Sequence, residues 1–269
     1  MALVILNCGV CFASEDKQSE VIPQEVGARN FKIGIQLSSY RYVEPGLISH
    51  SGIMYGFNGE WSWKVSDTVK GILIGDASIG KLIYDGGVCD VTTKKCSDFE
   101  GLTNDFIFRV THRFDFKVTD ELSFFTGPGY RFLYDRGEGS SFYTRLGTYL
   151  FAPVGLTWTT EISKEKFFLD LEYDVFLVGT MESKVSEVNS TYEDLTHKQS
   201  SGSGHKIAIG YRKLLNNGRN LDASLIYENW NIAASNSERL IISGVASNSS
   251  FTEPKNFSES LGVKVSLDF

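Results

Sequence analysis

Residues 105–118 read DFIFRVTHRFDFKV, and the alternation within this stretch decides the fold. One set of alternate residues is apolar and aromatic apart from His112, whereas the other set carries five charges of mixed sign. Successive side chains of a β-strand point to opposite faces, so the two sets lie on opposite sides of a strand. A strand that crosses a bilayer needs about 9–11 residues, apolar toward lipid and polar toward the interior. The stretch therefore predicts a transmembrane β-strand whose charged face lines the lumen of a barrel.

The same alternation recurs along the chain and predicts nine further strands. Short turns alternate with longer connections, which is typical of barrels with both termini in the periplasm, and ten strands satisfy the even number that single-chain bacterial barrels require. We therefore predict an all-β fold, a transmembrane antiparallel up-and-down β-barrel of ten strands, with eight or twelve strands as the alternatives. The predicted strands span residues 31–43, 52–63, 69–84, 105–118, 122–134, 142–159, 167–179, 205–214, 221–232 and 257–269.

Irregular positions in this pattern give local predictions. In the first strand Tyr40 and Tyr42 depart from the earlier alternation, which predicts a bulge, and Tyr42 is expected with Tyr134 in the outer aromatic girdle. Pro128 falls within a strand, where a ladder tolerates it only at an edge or a bulge. Residues 72–74 are all apolar and interrupt the alternation of the third strand. Long polar loops are predicted at residues 85–104, 181–204 and 233–255.

The amino-terminal residues have the pattern of an export signal. Residues 2–12 form a short apolar core, and Cys11 and Ala13 supply small residues where a signal peptidase reads the chain. The basic leader that usually precedes such a core is missing, and a buried strand is the alternative interpretation. We predict a signal peptide over residues 1–13, a periplasmic lead-in over 14–30 and an outer-membrane barrel over 31–269.

Cleavage after Ala13 would leave two cysteines, Cys89 and Cys96, in a polar segment. In an exported protein two cysteines at this spacing predict a disulfide. A metal site is the rival interpretation, but zinc sites require four ligands and no further candidate stands nearby. We therefore expect a disulfide between Cys89 and Cys96 and no metal site.

Composition excludes several classes of function. The formal net charge is −7, and no cluster of Lys and Arg indicates nucleic-acid binding. The chain contains no apolar run of about 18 residues that could form a transmembrane helix. Four histidines in 269 residues leave few groups for acid–base catalysis near neutral pH. We expect a protein that is not an enzyme and carries no cofactor.

The inward-facing charges are the candidate functional residues. Mixed charges inside a barrel must pair, because an unpaired buried charge costs several kcal/mol. The predicted function is a structural or surface-interaction protein with a charge-filled lumen; the alternatives are a narrow, porin-like pore for small ions or solutes and a hydrolase at the outer rim. The inward set comprises Asp105, Arg109, Arg113, Asp115, Lys117, Arg131, Arg145, Asp170, Glu172, Asp174, Arg212, Asp222, Glu228 and Lys264.

Several short motifs resemble a poorly characterised family of outer-membrane β-barrel proteins of Gram-negative bacteria. They are 42–46 (YVEPG) with Gly52 after it, 127–133 (GPGYRFL), the run from Tyr143 and Arg145 to 149–156 (YLFAPVGL), 171–174 (LEYD) and 253–256 (EPKN). The resemblance implies a barrel in the outer membrane and no known activity. The expected partners are outer-membrane lipid and lipopolysaccharide, with the barrel-assembly machinery during insertion, for which Phe269 is the predicted carboxy-terminal residue.

The ten strands are also similar in number to those of the omptin proteases. Omptins need two close aspartates on one side of the outer cleft and an Asp–His pair on the other. The second predicted loop contains Asp85, Asp90 and Asp98, none of which are one residue apart. The fourth contains Asp194 and His197 without the required spacing, and His197 is expected to be a solvated loop residue. The omptin catalytic pattern is therefore not matched.

Overall fold

Alternating apolar and polar residues produce long strands in the computed structural model, which describes residues 30–89, 96–139, 141–163 and 165–269. The predicted signal peptide and residues 14–29 of the lead-in lie outside the described residues. No helix in the described part of the chain is long and apolar enough to cross a bilayer. The strands are β1 (Asn30–Glu44), β2 (Ile48–Lys64), β3 (Val69–Cys89), β4 (Cys96–Lys117), β5 (Leu122–Thr126), β6 (Gly129–Gly137), β7 (Thr144–Ile162), β8 (Glu165–Ser183), β9 (Leu195–Gln199), β10 (Gly202–Leu214), β11 (Asn220–Ile232), β12 (Ser237–Ile242), β13 (Val245–Thr252) and β14 (Asn256–Asp268).

The sheet closes on itself because the first and last strands pair. Strand β1 is antiparallel to both β2 and β14, and Ile35 faces Phe57 on one side and Val265 on the other. Around the ring β5 and β6 together occupy the fifth position, and β9 and β10 together occupy the eighth. The predicted all-β fold, an antiparallel up-and-down barrel of ten strands, is confirmed.

The interruption of the fifth strand lies at Gly127 and Pro128. Proline has no N–H for the ladder, and a Cβ at Gly127 would collide with the carbonyl oxygen of His112 on β4. The N–H of His112 donates a hydrogen bond of 3.0 Å to the carbonyl of Pro128, so β4 remains joined to this segment. A bulge also occurs on β8, where the register with β7 shifts after Leu150.

The prediction of a polar loop over residues 85–104 is wrong, because β3 and β4 continue to Cys89 and Cys96. The alternation of apolar and polar residues that marks the rest of β3 and β4 is absent from the ends that meet at this hairpin, so parity gives no signal there. Strands β9, β12 and β13 likewise lie in the segments 181–204 and 233–255, which were predicted as loops.

The predicted bulge in the first strand and the girdle position of Tyr42 are also wrong. The register of β1 is unbroken against both neighbours, and Tyr42 is a buried, inward residue. Its hydroxyl finds polar partners inside, which is why an aromatic residue occupies the inner face here. In β3, Ile72 is buried inside the barrel while Leu73 is exposed on the outside, which explains the interrupted alternation.

The outer wall of the barrel is apolar. Ile35 and Phe57 are 62% and 70% exposed, and similar exposed residues occur on the other strands of the wall, including Ile79, Leu171 and Val263. Water-soluble monomers rarely expose apolar surface of this extent. Transmembrane barrels present such a surface to lipid.

Candidate functional site: the charged interior of the barrel

Charged side chains fill the interior of the barrel in three layers along its axis. The inner layer, at the end of the barrel with the short turns between strands, is formed by Lys32, Glu60, Lys70, Arg113, Asp115, Asp170, Arg212 and Asp222. The central layer is formed by Asp76, Arg109, Arg131, Glu172, Asp174, Lys206, Glu228 and Lys264. The outer layer, near the long connections, is formed by Glu44, His50, Asp105, Asp135, Arg145 and Glu253.

The inner layer contains four cations and four carboxylates. Lys32 lies 3.2 Å from Glu60 and 2.9 Å from Asp222, and Asp222 also accepts a hydrogen bond of 2.6 Å from Arg212. The remaining members are Arg113, which is 2.6 Å from Asp115 and 3.5 Å from Asp170, and Lys70, whose charge acts on Glu60. The charges of this layer are therefore balanced, and Asp268 and Lys166, which are in register with Lys32 and Arg212, add one charge of each sign.

The central layer is balanced in the same way. Arg109 contacts Glu172 at 2.5 Å and Asp174 at 3.1 Å, which links β4 to β8 across the interior. Lys264 on β14 contacts Asp76 on β3 at 2.5 Å.

The other cations of the central layer are Arg131 and Lys206. Arg131 lies 3.9 Å from Glu228 and donates a hydrogen bond of 3.1 Å to Ser258. Lys206 on β10 is in register with Glu228 on one neighbouring strand and Glu172 on the other. A cavity of about 70 Å³ remains among these groups.

Aromatic rings pack against the guanidinium groups in the interior. The guanidinium carbon of Arg113 lies 3.9 Å from the ring centroid of Phe125, and that of Arg109 lies 4.9 Å from Phe151. Arg131 lies 5.1 Å from the Trp230 ring. Cations over ring faces gain electrostatic energy when they are removed from water, so the rings stabilise the arginines while they fill volume.

The outer layer differs in composition. A single nitrogen of Arg145, Nη2, contacts both Glu44, at 2.5 Å, and Glu253, and it donates a hydrogen bond of 3.0 Å to the hydroxyl of Tyr42. The ring of His50 lies 3.4 Å, Nδ1 to Oδ2, from Asp105.

Asp105 is held from the other side by Thr103, whose hydroxyl donates a hydrogen bond of 2.6 Å. Asp135 on β6 is in register with Asp105 on β4 and with Arg145 on β7. This layer therefore contains four carboxylates and one guanidinium, which contacts two of them.

Most residues of the predicted inward set lie in these layers. Lys117 does not, because its half-exposed ammonium pairs at 2.6 Å with Asp120 in the adjoining turn. Lys117 lines an open cavity of about 560 Å³ at the end of the barrel with the short turns. The sequence prediction missed Lys32, Glu44, His50, Glu60, Lys70, Asp76, Asp135, Lys206 and Glu253.

Strand parity could have found some of the missed residues and not others. Lys32, Glu60 and Lys206 have the inward parity of strands that were predicted. His50 precedes the predicted start of its strand, and Glu253 lies between β13 and β14, so alternation gives no signal for either.

The outer connections form a folded unit on one side of the mouth. Strands β12 and β13 make a hairpin, and an isolated bridge joins its tip at Ile242 to Tyr192. Val185, Leu195 and Leu240 are buried together beneath it. This unit therefore has a small apolar core of its own.

The residues considered for catalysis have different surroundings. His197, predicted as a solvated loop residue, is 2% exposed, so that prediction is wrong: β9 continues the barrel wall and turns the ring inward. Asp194 pairs at 3.3 Å with Lys184. Among the residues described, no group of three or more His, Cys, Asp or Glu side chains could hold a metal ion.

Comparison with known proteins defines the class of the fold. No family model matches the chain, and no curated protein matches it in sequence. It is similar in structure to the outer membrane protease OmpT from Escherichia coli, with a TM-score of 0.62 and 9% sequence identity over 90% of this chain and 96% of that chain.

Two further similar structures are those of the autotransporter NalP and the surface protein NspA. The translocator domain of NalP from Neisseria meningitidis gives a TM-score of 0.42 and 10% identity over 90% of this chain and 89% of that chain. Neisserial surface protein A gives a TM-score of 0.34 and 8% identity over 87% of this chain and 96% of that chain. The chain has the fold of Gram-negative outer-membrane β-barrels, as the resemblance implied. At 9% identity, the likeness to OmpT shows the fold alone.

Proposed function

We propose that this protein is an integral outer-membrane barrel whose lumen is sealed by its own ion pairs and which acts at the cell surface through its outer connections. The observation that carries the proposal is the balance of the inner and central layers. Arg109, Arg113 and Arg131 are each less than 9% exposed and each has an acidic partner across or along the wall. Such pairs hold the strands together and occupy the path that a solute would need.

The size of the barrel supports this proposal. A barrel of about eight strands is filled by its own side chains, and aqueous channels appear at 16–18 strands. Ten strands stand near the filled end of that range. The central cavity of about 70 Å³ is large enough for a few water molecules and too small for a typical metabolite.

The outer unit supports a role at the surface. Its hairpin is joined to the connection after β8 by a bridge and by a shared apolar core, so it presents a defined shape instead of a loose loop. The surrounding partners in this proposal are outer-membrane lipid and lipopolysaccharide, with export through the periplasm and insertion by the barrel-assembly machinery.

Conductance of the refolded protein in a planar lipid bilayer tests the sealed lumen. The proposal expects no discrete conductance steps. Steps that change their ion preference in Asp174→Asn and Arg113→Gln, but not in the outer-wall control Arg41→Gln, would establish the alternative, a narrow pore for small ions.

A hydrolytic role is the third alternative, because OmpT is a protease. The chain lacks the omptin spacing of acidic residues, and His197 is buried, so we propose a protein that is not an enzyme. Cleavage of a peptide library by the refolded protein, abolished in His197→Ala, would overturn this part of the proposal.

A further inference from the structure

The outer layer carries an excess of negative charge that the other layers do not. Glu44, Asp105, Asp135 and Glu253 are four carboxylates, and Arg145 is the only Lys or Arg of this layer among the described residues. Burying unpaired carboxylates costs several kcal/mol each, so the excess must be neutralised by protons or by bound cations. A proton on a carboxyl group removes its charge without any further ligand.

Glu44 and Glu253 share one partner atom. Both contact Nη2 of Arg145, so the two carboxyl groups lie against the same nitrogen. Two carboxylates that share a site cannot both ionise easily, because each charge disfavours the other. One of the two is therefore the natural position for a bound proton.

Glu253 is also the member of the pair that holds the outer hairpin. It follows β13, and its N–H donates a hydrogen bond of 2.8 Å to the hydroxyl of Ser235, which precedes β12. The N–H of Ser235 donates a bond of 3.0 Å to the carbonyl of Glu253. Glu253 thus closes the base of the hairpin while its side chain reaches Arg145 on the barrel wall.

Burial favours the protonated form of the Glu253 carboxyl group, because it raises the pKa. The pKa of Glu253 is raised from 4.5 to about 7, because the upward effects of burial, the largest cause, and of the nearby Glu44 outweigh the downward effect of Arg145. Glu253 lies in a connection outside the membrane-spanning strands. The titratable and charged groups that act on Glu253 and Arg145 from the surrounding elements are Tyr42 and Glu44 on β1, Tyr84 on β3, Asp135 on β6, Tyr143 before β7, Tyr149 on β7 and His197 on β9. His50 on β2 and Asp105 on β4 act on Asp135.

We propose that Glu253, Glu44 and Arg145 form a proton-controlled latch that fastens the outer hairpin to the barrel wall. When Glu253 holds a proton, the site contains one carboxylate and one guanidinium, and the hairpin is docked. When the proton leaves, two carboxylates compete for one nitrogen beside Asp135, and the hairpin is released more readily. The latch does not depend on whether the lumen conducts.

The sign of the pH dependence follows from the raised pKa. A carboxyl group whose pKa is higher in the docked state than its ordinary value of 4.5 stabilises the docked hairpin. This stabilisation is fully present below pH 4.5 and is lost as the pH rises through about 7. For a single proton, the ratio of docked to released hairpin changes by at most about tenfold per pH unit in this window. The hairpin should therefore be better docked at acidic than at alkaline pH.

Hydrogen exchange of the full-length protein in lipid nanodiscs tests the latch. Protection of the amides in residues 237–252, corrected for intrinsic exchange, should fall as the pH rises through about 7. Glu253→Gln, which cannot ionise, should keep the protection at its acidic value throughout. The matched control Glu259→Gln, which alters a half-exposed pair with Arg41 on the outer wall, should keep the wild-type profile.

Glu44→Gln provides a second variant on the barrel side of the latch. This variant leaves Glu253 as the only carboxylate on Arg145. The pH at which half of the hairpin protection is lost should therefore move down, toward the ordinary pKa range of a carboxyl group. The latch is overturned if the protection of residues 237–252 in the wild type does not change with pH. It is also overturned if the wild-type pH dependence is retained in both Glu253→Gln and Glu44→Gln. A profile that disappears in His50→Gln but persists in Glu253→Gln assigns the proton to His50 and also overturns it.

Discussion

Nη2 of Arg109 lies 3.1 Å from Oδ1 of Asp174, and this contact joins β4 to β8 through the centre of the barrel. Arg109 is 5% exposed and Asp174 is fully buried. Arg109→Met should therefore lower the free energy of unfolding by about 3–5 kcal/mol, because it leaves the carboxylates of Glu172 and Asp174 without their cation. Urea unfolding in detergent micelles, followed by tryptophan fluorescence, measures this loss.

Arg41→Met is the matched control, because Arg41 pairs with Glu259 at 3.8 Å on the exposed outer surface. Exposed ion pairs contribute at most about 1 kcal/mol, so this variant should remain close to the wild type. Equal losses in the two variants would contradict the view that the interior pairs hold the barrel together.

The backbone break in the fifth strand position gives a second prediction. Gly127→Ala should reduce the folded fraction, because its Cβ meets the backbone carbonyl of His112, which cannot move without disturbing β4. The cost of such overpacking is typically about 1–3 kcal/mol. Gly75→Ala is the control, since a Cβ there meets no atom within 4 Å.

The heat-dependent shift in electrophoretic mobility that folded barrels show can report the folded fraction of both variants after refolding. If Gly127→Ala refolds as completely as Gly75→Ala, the backbone at Gly127 does not pack as closely against the His112 carbonyl as described.

Strand parity predicted the fold of this chain well, because one face of each strand must match lipid while the other must match polar groups. It failed where that constraint ends. At the outer ends of β3 and β4 the apolar–polar alternation stops, while the pairing of the two strands continues to Cys89 and Cys96. Tyr42 was assigned to the lipid face because its ring is apolar, yet its hydroxyl is satisfied inside the barrel.

The outer layer of the interior was largely unpredictable for a different reason. Arg145 contacts Glu44 and Glu253, which are 101 and 108 residues away in the chain. Only closure of the ring brings β1, β7 and the connection before β14 together. Parity places Arg145 on the inner face, but it cannot identify which of many distant carboxylates will meet it.

The cysteines at the end of the β3–β4 hairpin provide a third prediction. The backbone register places Cys89 opposite Cys96, and the disulfide between them stays a prediction. Protein isolated without reductant should not react with a maleimide at these two positions, and it should react after reduction. Closing so short a loop contributes at most about 2–3 kcal/mol to stability, so the reduced barrel should remain folded. Full labelling before reduction would contradict the disulfide.

The lipid-facing wall provides the last prediction. Phe57 is 70% exposed and lies between Ile35 and Ala77 in the middle of the wall. Phe57→Arg should destabilise the barrel in phospholipid bilayers by about 2–4 kcal/mol, the usual cost of an arginine that faces lipid near the midplane. Val245→Arg is the control, because Val245 is similarly exposed, at 69%, but begins β13 at the tip of the outer hairpin. Denaturant titration in vesicles measures the free energy of unfolding of both variants. Only the arginine that contacts lipid should lower it. Equal stability of the two variants would mean that the apolar outer wall around Phe57 does not face a bilayer. The charged interior would then need another explanation.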